Sequence, residues 1–130
     1  MEIIDQNLLD QLTDTAKISE RLRINFNFHK SLDDKCQRLL NAMEPGTIMP
    51  IHHHEVDEMY IVLRGDLTVP FHDNYKNVIE SQRICPTNGK FGIQIPAGTW
   101  HSLIVHESGT VIFEVKEGPF IPHSISGILE

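Results

Sequence analysis

The chain has 130 residues, 40% hydrophobic and 22% charged, which is enough for one globular domain with a core and too little for two. Its formal net charge of -7 argues against a nucleic-acid or anionic-membrane surface as partner. No apolar run approaches the ~18 residues of a membrane span and no signal-peptide core is present, so the expectation is a soluble cytoplasmic protein.

Residues 5 to 18 place apolar side chains at 8, 9, 12, 16 and 18, one stripe at helical spacing, with Asp5 as the N-cap. This helix is expected to pack on a barrel or on a partner subunit. Residues 21 to 29, RLRINFNFH, alternate like a half-buried strand. Leu22, Ile24, Phe26 and Phe28 share one face. Arg21, Arg23, Asn25, Asn27 and His29 share the other, which either looks at water or lines the rim of a pocket. Residues 36 to 43 form the next strand, where Asn41 reads as a core amide or as a pocket group. Cys36 and Cys85 are far apart without a Cys-x-x-Cys pattern, and read as two free thiols.

The stretch GTIMPIHHHEVDEMYIVLRG, Gly46 to Gly65, reads as strand, short turn at Glu55-Val56-Asp57, and strand. Residues two apart on a strand share a face, so His52 and His54 point the same way with Cα atoms ~6.7 Å apart. Glu58 opens the following strand and is expected to reach the same ion from the neighbouring strand. Alternation then places Tyr60, Val62 and Arg64 on the metal-facing side and His53 on the opposite face. Imidazole nitrogen and carboxylate oxygen together suit a first-row divalent metal at ~2.0–2.2 Å.

Further strands are expected at Asp66 to Phe71, Val78 to Ile84 and Phe91 to Ile95, with His72 exposed at a turn and Pro86 to Lys90 a second turn. Ile95-Pro96-Ala97-Gly98-Thr99 is a tight corner that gives His101 a fixed direction, while Trp100 points the other way. Strands follow at His101 to Val105 and Thr110 to Lys116. On the last of these, Glu114 and Lys116 are either solvated or pocket groups. About eight short strands separated by turns predict an all-β barrel or jelly roll. The division is residues 1–34 packing on the barrel, 35–120 the barrel itself, and 121–130 a weakly patterned tail that can cross to a partner.

Gly46, His52, His54, Glu58 and Gly65 fall at every fixed position of the first cupin motif, Gly-x5-His-x-His-x3-4-Glu-x6-Gly. Pro96, Gly98 and His101 fit the second motif, whose first Gly position holds Lys90 and whose final Asn position holds Val105. The chain therefore resembles the cupins over residues 35 to 118. That resemblance implies a single-domain double-stranded β-helix, a metal held by His52, His54, Glu58 and His101, and a homodimer. The strings RLRINFNFH, QRLLNAMEPGT, PIHHH, LRG, IPAGTWH and FEVKEGPF look like the WbuC-type cupin-fold metalloproteins of bacterial surface-polysaccharide genes.

Such a site, holding Zn, Fe, Mn or Ni, suits an isomerase, epimerase or lyase acting on a small polar metabolite, a sugar or sugar nucleotide. His29 or Glu114 would move the proton, and Asn25, Asn27, Tyr60 and Lys116 would bind the substrate. Two other classes remain open. One is an Fe- or Mn-dependent dioxygenase, and the other is a non-catalytic, metal-dependent sugar-binding or sensor module.

Overall fold

The computed structural model describes residues 1–120 and 127–129. Helix α1, Gln6–Ile18, is capped by Asp5, whose carboxylate accepts the Leu8 amide N–H at 2.9 Å, satisfying one of the free donors of the first turn. Leu8, Leu9, Leu12 and Ala16 form its buried stripe, whereas Ile18, at the helix end, is exposed. No helix of the described residues is long and apolar enough to cross a membrane.

Eight strands follow among the described residues: β1 Arg23–Asn27, β2 Cys36–Met43, β3 Glu58–Arg64, β4 Leu67–His72, β5 Val78–Ile84, β6 Gly92–Ile95, β7 Ile104–Val105 and β8 Thr110–Glu117. They make two antiparallel sheets, one ordered β1-β2-β8-β3-β6 and the other β5-β4-β7. Strand period 2 sorts the large sheet into two faces. Leu40, Ala42, Val111 and Phe113 point outward to α1 with Ile24, Phe26 and Phe28. Met43, Tyr60, Val62 and Ile112 point inward, where they meet Leu67, Val69, Leu103 and Val105 of the opposing layer. The helix therefore packs on the barrel, and the barrel core lies between the sheets. Cys36 is exposed and Cys85 buried, both as free thiols.

The strand expected over 21–29 is shorter because Leu22 takes a positive φ of 56°, which breaks the extended run. His52 to His54 form no continuous strand: His52 joins His101 and Ile128 through single bridges. Likewise only Ile104–Val105 of the expected strand at 101–105 enters a ladder. His72 is half-buried at the end of β4, with Nε2 2.9 Å from the Ser102 hydroxyl. Arg64 does not face the metal side. A register shift between Val62 and Arg64 turns it outward, where its guanidinium donates to Asp10 at 2.7 Å, to Thr13 at 3.0 Å and to the Gly109 carbonyl at 2.8 Å. One bulge thus converts an expected site residue into the clamp between α1 and the barrel. Of the tail, Gly127–Leu129 lie beside Ile51–His53, and the remainder falls outside the described residues.

Gly65 closes β3 at φ +108°, and a Cβ there would meet Thr110, lying 2.6 Å from its Cα. Gly89 has φ +82° with open space around it. Gly89→Ala should therefore cost about 1–2 kcal/mol of left-handed strain. Gly65→Ala adds overpacking against backbone and should cost roughly 3 kcal/mol or more. Urea denaturation of the two variants checks the difference, and equal losses would contradict it.

Candidate metal centre

Three short segments converge between the sheets. The first holds His52, after Pro50; the second holds His101, after the Pro96–Thr99 corner; the third is the start of β3, which carries Glu58. Gly98, at φ +75°, allows the corner to turn tightly, and its amide donates to the His54 carbonyl at 2.8 Å. Asp57 accepts the Ala97 amide N–H at 2.9 Å, fastening the same corner to the turn before Glu58. His52 and His101 exchange both backbone hydrogen bonds, each 2.9 Å, so the two imidazoles leave the backbone side by side, with ring centroids 4.3 Å apart. Glu58 does not lie on a strand next to His52, as the spacing predicted. Its strand pairs with β6 and β8 in the large sheet, whereas His101 bridges to Phe71 of the small one. The centre is therefore closed across the barrel rather than along a hairpin.

The tautomers follow from the backbone. Nδ1 of His52 donates to the Pro50 carbonyl at 2.8 Å, and Nδ1 of His101 donates to the Thr99 carbonyl at 2.8 Å. A carbonyl only accepts, so both rings carry the proton on Nδ1 and offer the Nε2 lone pair. Burial, reinforced by the neighbouring His101, pushes the His52 pKa down to about 3, so this imidazole stays neutral. Glu58 is 2% exposed. Burial would raise its carboxyl, but the neighbouring His54 and Lys116 outweigh that and hold it well below the usual carboxylate range. Its Oε2 lies 3.2 Å from His54 Nε2 and 3.7 Å from Lys116 Nζ, and its Oε1 lies 3.4 Å from His101 Nε2.

Oε1 of Glu58 and Nε2 of His101 are buried without a hydrogen-bond partner among the described residues. Buried polar atoms are rarely left so, and an anionic oxygen facing an imidazole lone pair is the arrangement a cation completes. Donor atoms of His52, Glu58 and His101 all lie within 4.8 Å of one another, a spread that suits imidazole and carboxylate bonds of ~2.0–2.2 Å to one ion. The donor set therefore fits a divalent transition metal. His54, half-buried, stands at the edge of this triplet beside Glu58. His53 turns elsewhere, its ring 4.4 Å from that of Trp100, which in turn donates to Asn74 at 2.9 Å.

Of the other residues singled out by the sequence, Tyr60, Glu114 and Lys116 occupy the inner wall of the large sheet. Glu58 pairs with Lys116, and Tyr60 with Glu114. Glu114 is buried and accepts from the Asn41 amide at 3.0 Å. Burial first, and Glu58 second, raise its pKa to about 7. Burial, with Glu58 and Glu114, also raises the Tyr60 phenol well above its ordinary value, so it remains a donor. Asn25 and Asn27 lie on the edge strand β1, exposed at the open side of this wall. His29 is buried, with Nδ1 3.1 Å from both the amide nitrogen and the carbonyl oxygen of Arg38, where it fastens β1 to β2. Sequence reasoning missed two fasteners. Gln37 is buried and donates to the Leu32 and Asp34 carbonyls, and Glu44 accepts from Ser108 and Gly109 at 2.6 Å each. The signal for Glu44 was a carboxylate at a strand end, which spacing alone does not separate from a solvated one.

Solved structures place this architecture. The chain is similar to KdgF from a Halomonas species (16% identity over 80% of this chain and 85% of that one, TM-score 0.61). It is also similar to a cupin superfamily protein from Desulfitobacterium hafniense (17% identity, 82% and 86% covered, TM-score 0.60). A third likeness is to the capsular polysaccharide assembling protein CapF from Staphylococcus aureus (20% identity, TM-score 0.62), where 81% of this chain matches 28% of that one. No curated protein matches the chain. The fold is that of a single-domain cupin jelly roll with a short N-terminal helix. The family model described as a domain of unknown function, DUF6016, matches residues 4–84, more than half of the sequence, and the chain belongs to that family.

Proposed function

We propose that this protein is a metal-dependent enzyme that isomerises, epimerises or eliminates from a small polar metabolite, a sugar or sugar nucleotide, in surface-polysaccharide metabolism. One observation carries the reading: the orphaned Glu58 and His101 atoms face each other across the barrel, and the sheet that carries Glu58 also carries Glu114, a buried carboxyl poised near neutral pH. The resemblance to WbuC-type proteins and the likeness to a capsular polysaccharide assembling protein support the metabolic setting.

A divalent ion held by His52, His54, Glu58 and His101 would supply Lewis acidity to a hydroxyl or carbonyl oxygen of the substrate. The chain's own groups do the rest. The Pro50 and Thr99 carbonyls keep two imidazoles aimed without rearrangement. Lys116 helps keep Glu58 ionised. Glu114 takes a proton from substrate carbon as the carboxylate and returns it as the acid, and Asn41 holds its Oε1 in place. Tyr60 donates from the neighbouring strand position. His29 contributes less to this reading, since its Nδ1 is engaged by the Arg38 backbone.

Metal content is the first test. Untagged protein should carry close to one equivalent of Zn, Fe, Mn or Ni by inductively coupled plasma mass spectrometry. His52→Ala and His101→Ala should lose most of it, and His53→Ala should keep it. Equal loss in all three would contradict the facing of these side chains. Turnover is checked by proton NMR in deuterium oxide with a panel of nucleotide sugars. Solvent deuterium should enter one carbon position, and Glu114→Gln should slow this by roughly 100-fold or more. Oxygen uptake tracking product would move the reading to an Fe- or Mn-dependent dioxygenase. Ligand-induced stabilisation without turnover would leave a sugar-binding module.

The raised Glu114 pKa also predicts a pH dependence. Its carboxyl titrates near 7 when folded against an ordinary 4.5, so between those values the folded state binds more protons than the unfolded chain. Stability from this group is then full below pH 4.5 and lost as pH rises through 7. Between pH 4.5 and 8, metal-free wild type should lose on the order of 3 kcal/mol relative to metal-free Glu114→Gln. Urea denaturation across that range measures the difference, and a pH-independent gap would sink the assignment.

A further inference from the structure

The inner wall is polar beyond the imidazole cluster, and part of that polarity is unused. Asn41 is 4% exposed. Its Nδ2 donates to Glu114 Oε1 at 3.0 Å, and its Oδ1 is buried without a partner among the described residues. Exchanging the amide oxygen and nitrogen does not remove the deficit. The oxygen would then accept from protonated Glu114 and the amide N–H would be left over. Gln37, the other buried amide on the inward face of β2, has both donors placed on backbone carbonyls. The Asn41 deficit is therefore particular to its position.

That position lies one strand in from the sheet edge. Asn41 is the Cα partner of Asn25, and β1 is the last strand of its sheet, so the exposed Asn25 is the neighbour that separates the buried Asn41 amide from the edge. Two residues earlier on the same face stands Arg23, half-buried, with Nη1 donating to the Ile48 carbonyl at 2.6 Å. A guanidinium has five N–H donors, and this is the one hydrogen bond it makes among the described residues. Burial and Arg21 both weaken its hold on the proton while Glu114 strengthens it, which places the three charges in one neighbourhood. In a chain of net charge -7, Arg21 and Arg23 thus set two guanidiniums beside one carboxyl at this sheet edge.

We infer that Arg23, Asn25 and Asn41 form a subsite for a polyhydroxylated ligand bearing an anionic group, with hydroxyls on the two amides and the anion on Arg23. The anion is a carboxylate or a phosphate, since a guanidinium fork matches both. The inference deepens the functional reading above by naming the charge of its substrate, and it uses none of the metal-binding residues.

The test is binding of D-glucuronate, D-glucose 6-phosphate and neutral D-glucose to the metal-loaded protein, followed by ligand-observed saturation-transfer NMR. At least one charged sugar should bind about 10-fold more tightly than glucose, and which one does so distinguishes carboxylate from phosphate. Arg23→Gln should abolish that preference while metal content stays at the wild-type level. Asn41→Leu should weaken all binding, and Asn25→Ala, at an exposed position that leaves the fold intact, should do so too. Equal binding of glucose and both charged sugars, an undiminished preference in Arg23→Gln, or no binding of any probe would each overturn the subsite. Failure of the two readings is separable. Wild-type protein that purifies without metal yet prefers charged sugars overturns the metal centre alone. A metalloprotein indifferent to sugar charge overturns the subsite alone.

Discussion

A carboxylate with 2% exposure is the constraint on which the rest of the interior depends. Moving an isolated carboxylate out of water costs several kcal/mol even after relaxation, so Glu58 requires positive charge or strong donors around it. Lys116 supplies part from the adjacent strand position, and His54 and His101 stand at 3.2 and 3.4 Å. Yet Oε1 still lacks a hydrogen bond, and His101, with its proton on Nδ1, presents a lone pair rather than a donor. The arrangement is electrostatically incomplete without a cation, and the geometry around it is rigid enough that the carboxylate cannot relieve itself by turning to solvent.

That rigidity comes from the backbone on both sides of the barrel. The reciprocal hydrogen bonds between His52 and His101 fix two ligands relative to each other, and the small sheet fixes them through Phe71. Glu58 is fixed independently by β6 and β8. The contacts of Asp57 and His54 with the Ala97–Gly98 corner then tie the two halves together. On the outside, Gly127–Leu129 lie along Ile51–His53, with the Leu129 amide donating to Ile51 at 2.8 Å. The segment carrying His52 is held on two edges without being a regular strand, which leaves Pro50 free to receive the imidazole proton.

Much of this was legible in the sequence because its determinants are local. The helix and its Asp5 cap, the strands at 36–43 and 78–84, the inward facing of Glu58 and Tyr60, and the shared face of Glu114 and Lys116 follow from 3.6-residue or two-residue periodicity, although periodicity alone left that last face open between solvent and pocket. The illegible parts were non-local. Arg64 left the inward row because a bulge shifted the register by one residue, and period 2 turns any such shift into a change of face. Which strand stands beside His52 depends on sheet closure, which hairpin logic cannot supply. Asn41 could be read as core or pocket because the distinction rests on one partner, Glu114, lying 73 residues away in the chain.

The same strands do two jobs, and strand periodicity is what lets them. Along β1, Ile24 and Phe26 face α1 while Arg23, Asn25 and Asn27 face the barrel mouth. Along β2, Leu40 and Ala42 face α1 while Asn41 faces inward. Helix α1 buries the apolar row, so stability of the large sheet does not require an apolar inner surface near its edge. Polar side chains can then remain there, one of them short of a hydrogen bond, without weakening the layer that holds them. Helix α1 does not cover the opposite side of this sheet to the same extent: Met59 and Leu63 of β3 are each 39% exposed. Covering one half of the outer face thus concentrates polar freedom on the inner face directly behind it, which is where Asn25, Asn41 and Glu114 lie.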